Sequence, residues 1–156
     1  MKRIHPILAT AATLAAVSAT AVLPTLTPAT PASAAATCGG TSLAAVTNTN
    51  GQARIPTVGN ATPGKWGCDL GPNDSGPAVT RLQIDLNDCY GNHLAVDGSY
   101  GAATQAAVED VQDHESGVAQ DGIYGPQTIG FGTGSGFKYQ RSGVPVGPGS
   151  CGVLGG

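Results

Sequence analysis

Between residues 73 and 91, apolar residues recur every three or four positions, which predicts an amphipathic helix with one buried stripe. The stripe contains Val79, Leu82, Leu86 and either Cys89 or Tyr90. Asp, Ser and Gly precede Pro77, so we expect a capping side chain and then a proline in the first turn, where its missing N–H costs nothing. Gly91 can end the helix, because glycine readily adopts the left-handed conformation.

A second helix is predicted within residues 101–117, and a third, shorter one follows it. The inner face of the second helix is expected to hold Ala103, Ala107, Val108 and Val111, with Glu109, Asp110, Asp113 and Glu115 facing water. Gly117 is expected to end it. The third helix starts at Pro126 and then meets glycines at positions 130, 132, 134 and 136. Each glycine costs about 1 kcal/mol relative to alanine, so this helix should not exceed one or two turns.

The pattern Asp-Gly-x-Tyr-Gly occurs twice, each time immediately before a predicted helix. Its members are Asp97, Gly98, Tyr100 and Gly101, and then Asp121, Gly122, Tyr124 and Gly125. Asp-Gly indicates a tight turn with positive φ at glycine, the tyrosine can fold back on the apolar stripe, and the second glycine can serve as N-cap. Thr104 and Thr128 follow three residues later, where we expect the hydroxyl to meet a free backbone amide. We therefore interpret the pattern as a structural turn rather than a catalytic aspartate pair.

Taken together, these segments resemble the bacterial peptidoglycan-binding domain, a three-helix module of exported cell-wall proteins. The resemblance is carried by Gly76–Asn87, Leu94–Gln112 and Gly117–Thr128. It implies a mostly α, three-helix domain at residues 74–136, and the cysteines are expected to staple it by disulfides. The Gly-, Thr-, Asn- and Pro-rich composition of residues 35–73 predicts an irregular arm, and the tail at 137–156 after the glycine run is also expected to be irregular. One short extended piece is expected near residues 53–58. Two departures shrink the core, because Val111 stands where the family usually has Phe and the glycine run replaces an apolar residue of the third helix.

The resemblance also implies a function and a set of binding residues. We expect a non-catalytic protein that binds peptidoglycan, through either the glycan strand or the peptide stem. The alternative is an inhibitor or pro-domain-like protein that uses the same fold to bind a separate secreted protein. In the family the proposed groove runs over the helical face, which here presents Arg81, Gln83, Asn87, Asn92, Gln112 and His114.

The first residues have the pattern of a secretory signal. A basic start is followed by an apolar run from Ile7 to Leu23, and small residues precede a cleavage site after residue 34 or residue 36. The signal is therefore predicted to span residues 1–34. We expect the product to be secreted, extracellular or cell-wall associated, with no membrane association after cleavage.

The four cysteines all follow this signal, and an even number in an oxidising compartment indicates two disulfides. Three pairings are possible. Cys68 and Cys151 bracket the patterned region, so we favour Cys68 with Cys151 and Cys38 with Cys89. Zinc binding is disfavoured, since no Cys-x-x-Cys spacing occurs.

The net charge and the remaining polar residues limit the partners and the catalytic groups that the sequence allows. Loss of Lys2 and Arg3 with the signal changes the formal charge from −3 to −5, which disfavours nucleic acid and anionic lipid as partners. His93 and His114 do not complete a zinc site, and Cys151 lacks the surroundings of a nucleophile. We predict no catalytic residue, metal or cofactor. Trp66 is interpreted as cover for the core edge rather than as a ligand-stacking residue.

Overall fold

The computed structural model describes residues 35–46, 51–59, 67–115, 117–130, 136–147 and 149–154. The predicted signal at residues 1–34 and the interpretation of Trp66 lie outside these ranges, as do two of the four glycines of the predicted run, at positions 132 and 134.

Three helices occur in the described ranges: α1 Pro77–Tyr90, α2 Ala102–Asp113 and α3 Pro126–Ile129. Gly91 ends α1 in the left-handed conformation with φ 75°. Gly76 is the N-cap of α1 and no side chain caps it, so the predicted capping side chain is wrong. None of the helices in these ranges is long and apolar enough to cross a membrane.

The second helix differs from its prediction at two positions. It ends at Asp113 with His114 as C-cap, before the predicted Gly117, which has φ 82° in the following turn. Ala107, Val108 and Val111 are buried as predicted, whereas Ala103 is exposed. The buried face of α2 also includes the polar residues Thr104 and Gln112, which the apolar pattern did not indicate.

Six short strands accompany the helices, so the prediction of a mostly α fold is wrong. β1 Ala36–Thr37 pairs in parallel with β4 Cys68–Asp69. β2 Gly40–Ala45 and β3 Gln52–Thr57 form an antiparallel hairpin, and β5 Tyr139–Gln140 pairs antiparallel with β6 Cys151–Gly152. Among the described residues, strand and bridge positions make up about 26% and helix 29%. The extended piece expected near residues 53–58 corresponds to β3, whereas the other strands of the arm and the tail lie where irregular chain was expected.

The hairpin forms because one face of β3 is buried. Ala53, Ile55 and Thr57 are nearly inaccessible, while Gln52 and Arg54 are exposed, so residues 52–55 show the period of two of a half-buried strand. Pro56 departs from the alternation and is also buried. Opposite them, Ala44 of β2 is also buried. The buried face packs on α1. Small residues, threonines and a proline obscured this alternation in the sequence.

Aromatic residues of the tail complete the core. Phe137 and Tyr139 are fully buried, although the tail was predicted to be irregular. The centroid of the Phe137 ring lies 5.2 Å from the ring centroid of Tyr124, in an edge-on contact, and 5.0 Å from that of Tyr90. These rings supply the apolar volume that the small Val111 and the short α3 do not.

The disulfides join Cys38 with Cys68 and Cys89 with Cys151, so the favoured pairing is wrong. The parallel contact of β1 with β4 brings the first two cysteines together, with the Cys38 N–H donating to Asp69 O at 2.9 Å. The other bond joins the last turn of α1 to β6. Sequence order did not reveal these neighbours, because both pairings depend on strand contacts between distant segments.

Candidate functional site

The first Asp-Gly turn is held by a buried glutamine of α1. Gln83 is 1% exposed, and its Nε2 lies 2.9 Å from Asp97 Oδ1, 3.0 Å from Ser99 O and 3.3 Å from Thr104 Oγ1. Its Oε1 accepts the Gly98 N–H at 2.9 Å. One side chain therefore joins α1, the turn and the first turn of α2.

The second Asp-Gly turn is held in the same way by α2. Gln112 is 2% exposed, and its Nε2 lies 2.9 Å from Asp121 Oδ1, 2.9 Å from Ile123 O and 3.0 Å from Thr128 Oγ1. Its Oε1 accepts the Gly122 N–H at 2.8 Å and the Asp121 N–H at 3.1 Å. The sequence repeat is thus a repeat of one hydrogen-bonded unit, built from a helical glutamine and the turn that follows.

The other members of the repeat fix the backbone. Gly98 and Gly122 have φ angles of 72° and 65°, and a Cβ on Gly122 would lie 2.5 Å from Gln105 Cγ. Gly101 and Gly125 are the N-caps of α2 and α3, in extended conformation. The threonine hydroxyls meet the glutamine side-chain amides and not a free backbone amide, which corrects that expectation.

The two tyrosines of the repeat are buried and couple the units to their surroundings. Tyr100 OH donates to Gly122 O at 2.8 Å, so the first unit is bonded directly to the second turn. Tyr124 OH lies 2.6 Å from Tyr139 OH, which bonds the second unit to β5. Burial raises the pKa of Tyr100 and of Tyr124 above the usual range, so both hydroxyls remain neutral hydrogen-bonding groups.

The residues predicted to bind a ligand do not form one surface. Gln83 and Gln112 are buried in the turns. Asn87 bonds both backbone groups of Leu94, donating to its carbonyl at 3.0 Å and accepting its N–H at 2.7 Å. Asn92 donates to Leu86 O, and His114 is exposed with Nδ1 against Asp110 O. Arg81 is the member of the set that lines a cleft.

This cleft, about 610 Å³ in volume, lies between the hairpin, α1 and the first Asp-Gly turn. The residues that line it are Thr41, Arg54, Gly76, Pro77, Thr80, Arg81, Ile84, Asp97 and Gly98. Thr41 and Arg54 were not predicted as site residues, because the expected extended piece near residues 53–58 was given no partner strand and no place beside α1. The exposed position of Arg54 between two buried strand residues was the signal that could have located it.

Arg81 at the edge of the cleft forms an ion pair with the buried Asp85 one helical turn later. Arg81 Nη2 contacts Asp85 Oδ1, and Arg81 Nε donates to Oδ2 at 3.0 Å. The Gln140 N–H also donates to Asp85 Oδ1 at 2.8 Å. Burial raises the pKa of Asp85 to about 7, although the hydrogen bonds from Arg81 and Gln140 act in the opposite direction.

We expect the unfolding free energy to rise by about 2 kcal/mol as the pH is lowered from 8 to 5. The folded protein holds the Asp85 proton more tightly than the unfolded chain, where the carboxyl has its ordinary pKa of 3.8. Stability is therefore gained below the folded pKa and lost as the pH rises through it. Urea unfolding followed by circular dichroism at several pH values measures how the unfolding free energy changes with pH.

Asp85→Asn is the control for this pH dependence, because its side chain cannot titrate. The pKa of His114 is also raised, by the contact with Asp110 O, and it gives a slope of the same sign in both proteins. The difference between wild type and variant therefore isolates Asp85. Parallel curves for the two proteins would assign the slope to other groups.

Asp97 is the acidic residue among the described residues that line the cleft. The pKa of Asp97 is lowered by the hydrogen bond from Gln83 and by the Ser99 N–H, so its carboxylate stays ionised near neutral pH. Over the residues that the structure describes, no group of three or more His, Cys, Asp or Glu side chains is placed to hold a metal ion.

The segment that contains these two units is similar to segments of known proteins. Residues 75–131 match the family model of the putative peptidoglycan binding domain, which confirms the resemblance carried by the repeated segments. Zinc D-Ala-D-Ala carboxypeptidase of Streptomyces albus G is 44% identical over 66 residues, which are 41% of this chain and 26% of the carboxypeptidase. The matched segment begins just before α1 and ends just after α3.

A solved structure shows a similar partial match. The crystal structure of Burkholderia AP3 phage endolysin shares 40% sequence identity, over 38% of this chain and 22% of that chain, with a TM-score of 0.36. The chain thus spans about a quarter of the length of the carboxypeptidase and less of the endolysin. Thr41 and Arg54 of the cleft precede the segment that matches the family model.

Proposed function

We propose that this protein binds bacterial cell-wall peptidoglycan without hydrolysing it. The observation that carries the proposal is the family match over residues 75–131, which contains both glutamine-held turns and most of the cleft lining. The cleft combines hydroxyl, guanidinium and carboxylate groups with the apolar side chains of Pro77 and Ile84. A binding site for a polar polymer requires such a mixture of hydrogen-bonding groups and apolar contacts.

Binding without catalysis is supported by the way the aspartates are used. Asp97 and Asp121 each accept hydrogen bonds from a glutamine amide and from the N–H two residues later. A general acid must carry a proton near neutral pH, and at Asp97 these contacts lower the pKa and favour the ionised carboxylate instead. The same aspartates were interpreted as turn residues from the sequence.

A location outside the cytoplasm is also part of the proposal. Two disulfides in one small domain favour an oxidising compartment. The signal-like pattern of residues 1–34 also favours export from the cytoplasm. Peptidoglycan is accessible in that compartment, so the proposed location and the proposed ligand agree.

We expect the purified, oxidised protein to sediment with insoluble peptidoglycan from which teichoic acid has been removed. The turbidity of the suspension should stay constant and no soluble fragments should appear, since binding alone is proposed. The pellet is assayed by gel densitometry and the supernatant by mass spectrometry. Reduced, alkylated protein is the control for nonspecific trapping, because it lacks both disulfides.

The outcomes of this assay separate three functions. Sedimentation without fragments supports the binding function, and release of fragments would show that the protein is an enzyme. Protein that stays in the supernatant with peptidoglycan from several bacteria would overturn the proposal. The protein-binding alternative would then be tested by pull-down from culture filtrate.

A further inference from the structure

We propose that the hairpin and α1 together form a recognition site for a carboxylate of the peptide stem, with Arg54 as the anion-binding side chain. This inference rests on the proposed function and specifies the element of peptidoglycan that is bound. It adds β2 and β3, which lie outside the matched segment, to the binding site. The ligand class is a short, carboxylate-bearing peptide rather than a neutral sugar chain.

The position of Arg54 is fixed by the strand that carries it. Ala53 and Ile55 on either side are 0% and 1% exposed, so Arg54 must point away from the core. β3 is held on both edges, by β2 and by a bridge between Ala53 and Arg141. The Ser142 N–H also donates to Gln52 O at 2.8 Å. These contacts fix the backbone of the strand from which the Arg54 side chain reaches the cleft.

The Arg54 guanidinium retains donors for a ligand. Its Nη1 donates to Thr41 Oγ1 at 3.2 Å, in an exposed contact with a neutral group. The ion pair found in the described ranges is that of Arg81 with Asp85, so the charge of Arg81 is balanced within the protein. Arg54 has no acidic partner there. A planar guanidinium binds a carboxylate through two parallel N–H bonds, which makes Arg54 the natural anion site of the cleft.

The rest of the lining favours a peptide over a glycan. The ionised Asp97 can accept an ammonium group, so the cleft offers one charge of each sign to a zwitterionic peptide. Pro77 and Ile84 provide apolar contacts suited to alanine methyl groups. The described lining has no aromatic ring on which a sugar could stack. These features match a stem of small amino acids with free carboxylates and an amine.

The test is a titration of the oxidised protein with three probes, followed by NMR chemical shifts or calorimetry. The first probe is the tetrapeptide L-Ala-γ-D-Glu-L-Lys-D-Ala, and the second is the same peptide with its carboxylates amidated. The third is chitotetraose, a neutral glycan. We expect the free acid to bind roughly 10-fold more tightly than the amide, because the amide cannot form the charge-assisted bonds. Chitotetraose is expected to bind more weakly than the free acid.

Arg54→Gln is expected to weaken binding of the free-acid peptide by roughly 10-fold and to leave binding of the amide almost unchanged. Arg54→Lys keeps the charge and loses the paired donors, so its affinity for the free-acid peptide should lie between those of the wild type and Arg54→Gln. Lys138→Gln removes the same charge outside the cleft and is the matched control. Thermal melts of all three variants establish that they fold, since Arg54 and Lys138 are exposed.

Sedimentation with whole peptidoglycan is run beside the titrations, so that the two proposals can fail separately. If the wild type sediments but the free-acid peptide binds no better than its amide, the stem-carboxylate site is wrong and the binding function stands. Equal affinities of wild type and Arg54→Gln, or preferred binding of chitotetraose, also overturn the site. If the wild type does not sediment, the proposed function itself is wrong.

Discussion

Replacement of Gln112 by leucine is expected to lower the free energy of unfolding by about 4 kcal/mol. Leucine is similar in size, so packing changes little, but the buried Gly122 N–H loses its acceptor. The Asp121 carboxylate, Ile123 O and the Thr128 hydroxyl each lose the hydrogen bond from Gln112 Nε2, although Thr128 still donates to Ile123 O. The buried group left unpaired costs about 1–3 kcal/mol, and each of the other lost hydrogen bonds adds about 0.5–1 kcal/mol. Urea unfolding monitored by circular dichroism measures the loss.

Gln105→Leu is the matched control for this substitution. Gln105 lies on the same helix, is half-buried and bonds the Glu109 side chain. A change within about 0.5 kcal/mol is expected there, as for other surface substitutions. Gln83→Leu should resemble Gln112→Leu, because Gln83 holds the first turn by the same contacts. Equal stability of the Gln105 and Gln112 variants would show that the glutamine does not hold the turn.

Removal of the disulfide between Cys89 and Cys151 by a double serine substitution is expected to cost about 4 kcal/mol in the chain-entropy model. The bond closes a segment of 62 residues. It also holds β6 against α1, next to the tail residues Phe137 and Tyr139 that fill the core. Because small domains have about 5–15 kcal/mol of total stability, the variant should be close to unfolding at 37 °C. Thermal and urea unfolding measure the effect.

The double serine variant of Cys38 and Cys68 provides the comparison. That bond closes 30 residues, so the same model gives a smaller cost of about 3.5 kcal/mol. Peptide mapping of the oxidised wild type should recover these two linkages and no free thiol. A fragment linking Cys68 to Cys151 would contradict the pairing and the strand contacts on which it depends.

Local sequence signals predicted the helices well, because their causes lie within a few residues. Pro77 and Gly91 bound α1 as expected, since a first-turn proline and a left-handed glycine act on their own backbone. The glycines of both turns have the positive φ that the Asp-Gly pattern indicated. The role of Gln83 and Gln112 was not foreseen, although Gln was part of the family resemblance. An amide on one helix meets the next turn only after the chain has folded.

What the sequence by itself determined is the position of three helices, two glycine turns and the resemblance of residues 75–131 to one family, since each of these follows from short-range pattern. The tertiary structure decided the hairpin, the disulfide partners and the composition of the cleft. Arg54 and Asp97 are 43 positions apart in the chain, and nothing local relates them. The overall negative charge likewise gave no sign of a cleft lined by two arginines. Long-range neighbours are set by which apolar faces pack together, and that depends on the whole chain at once.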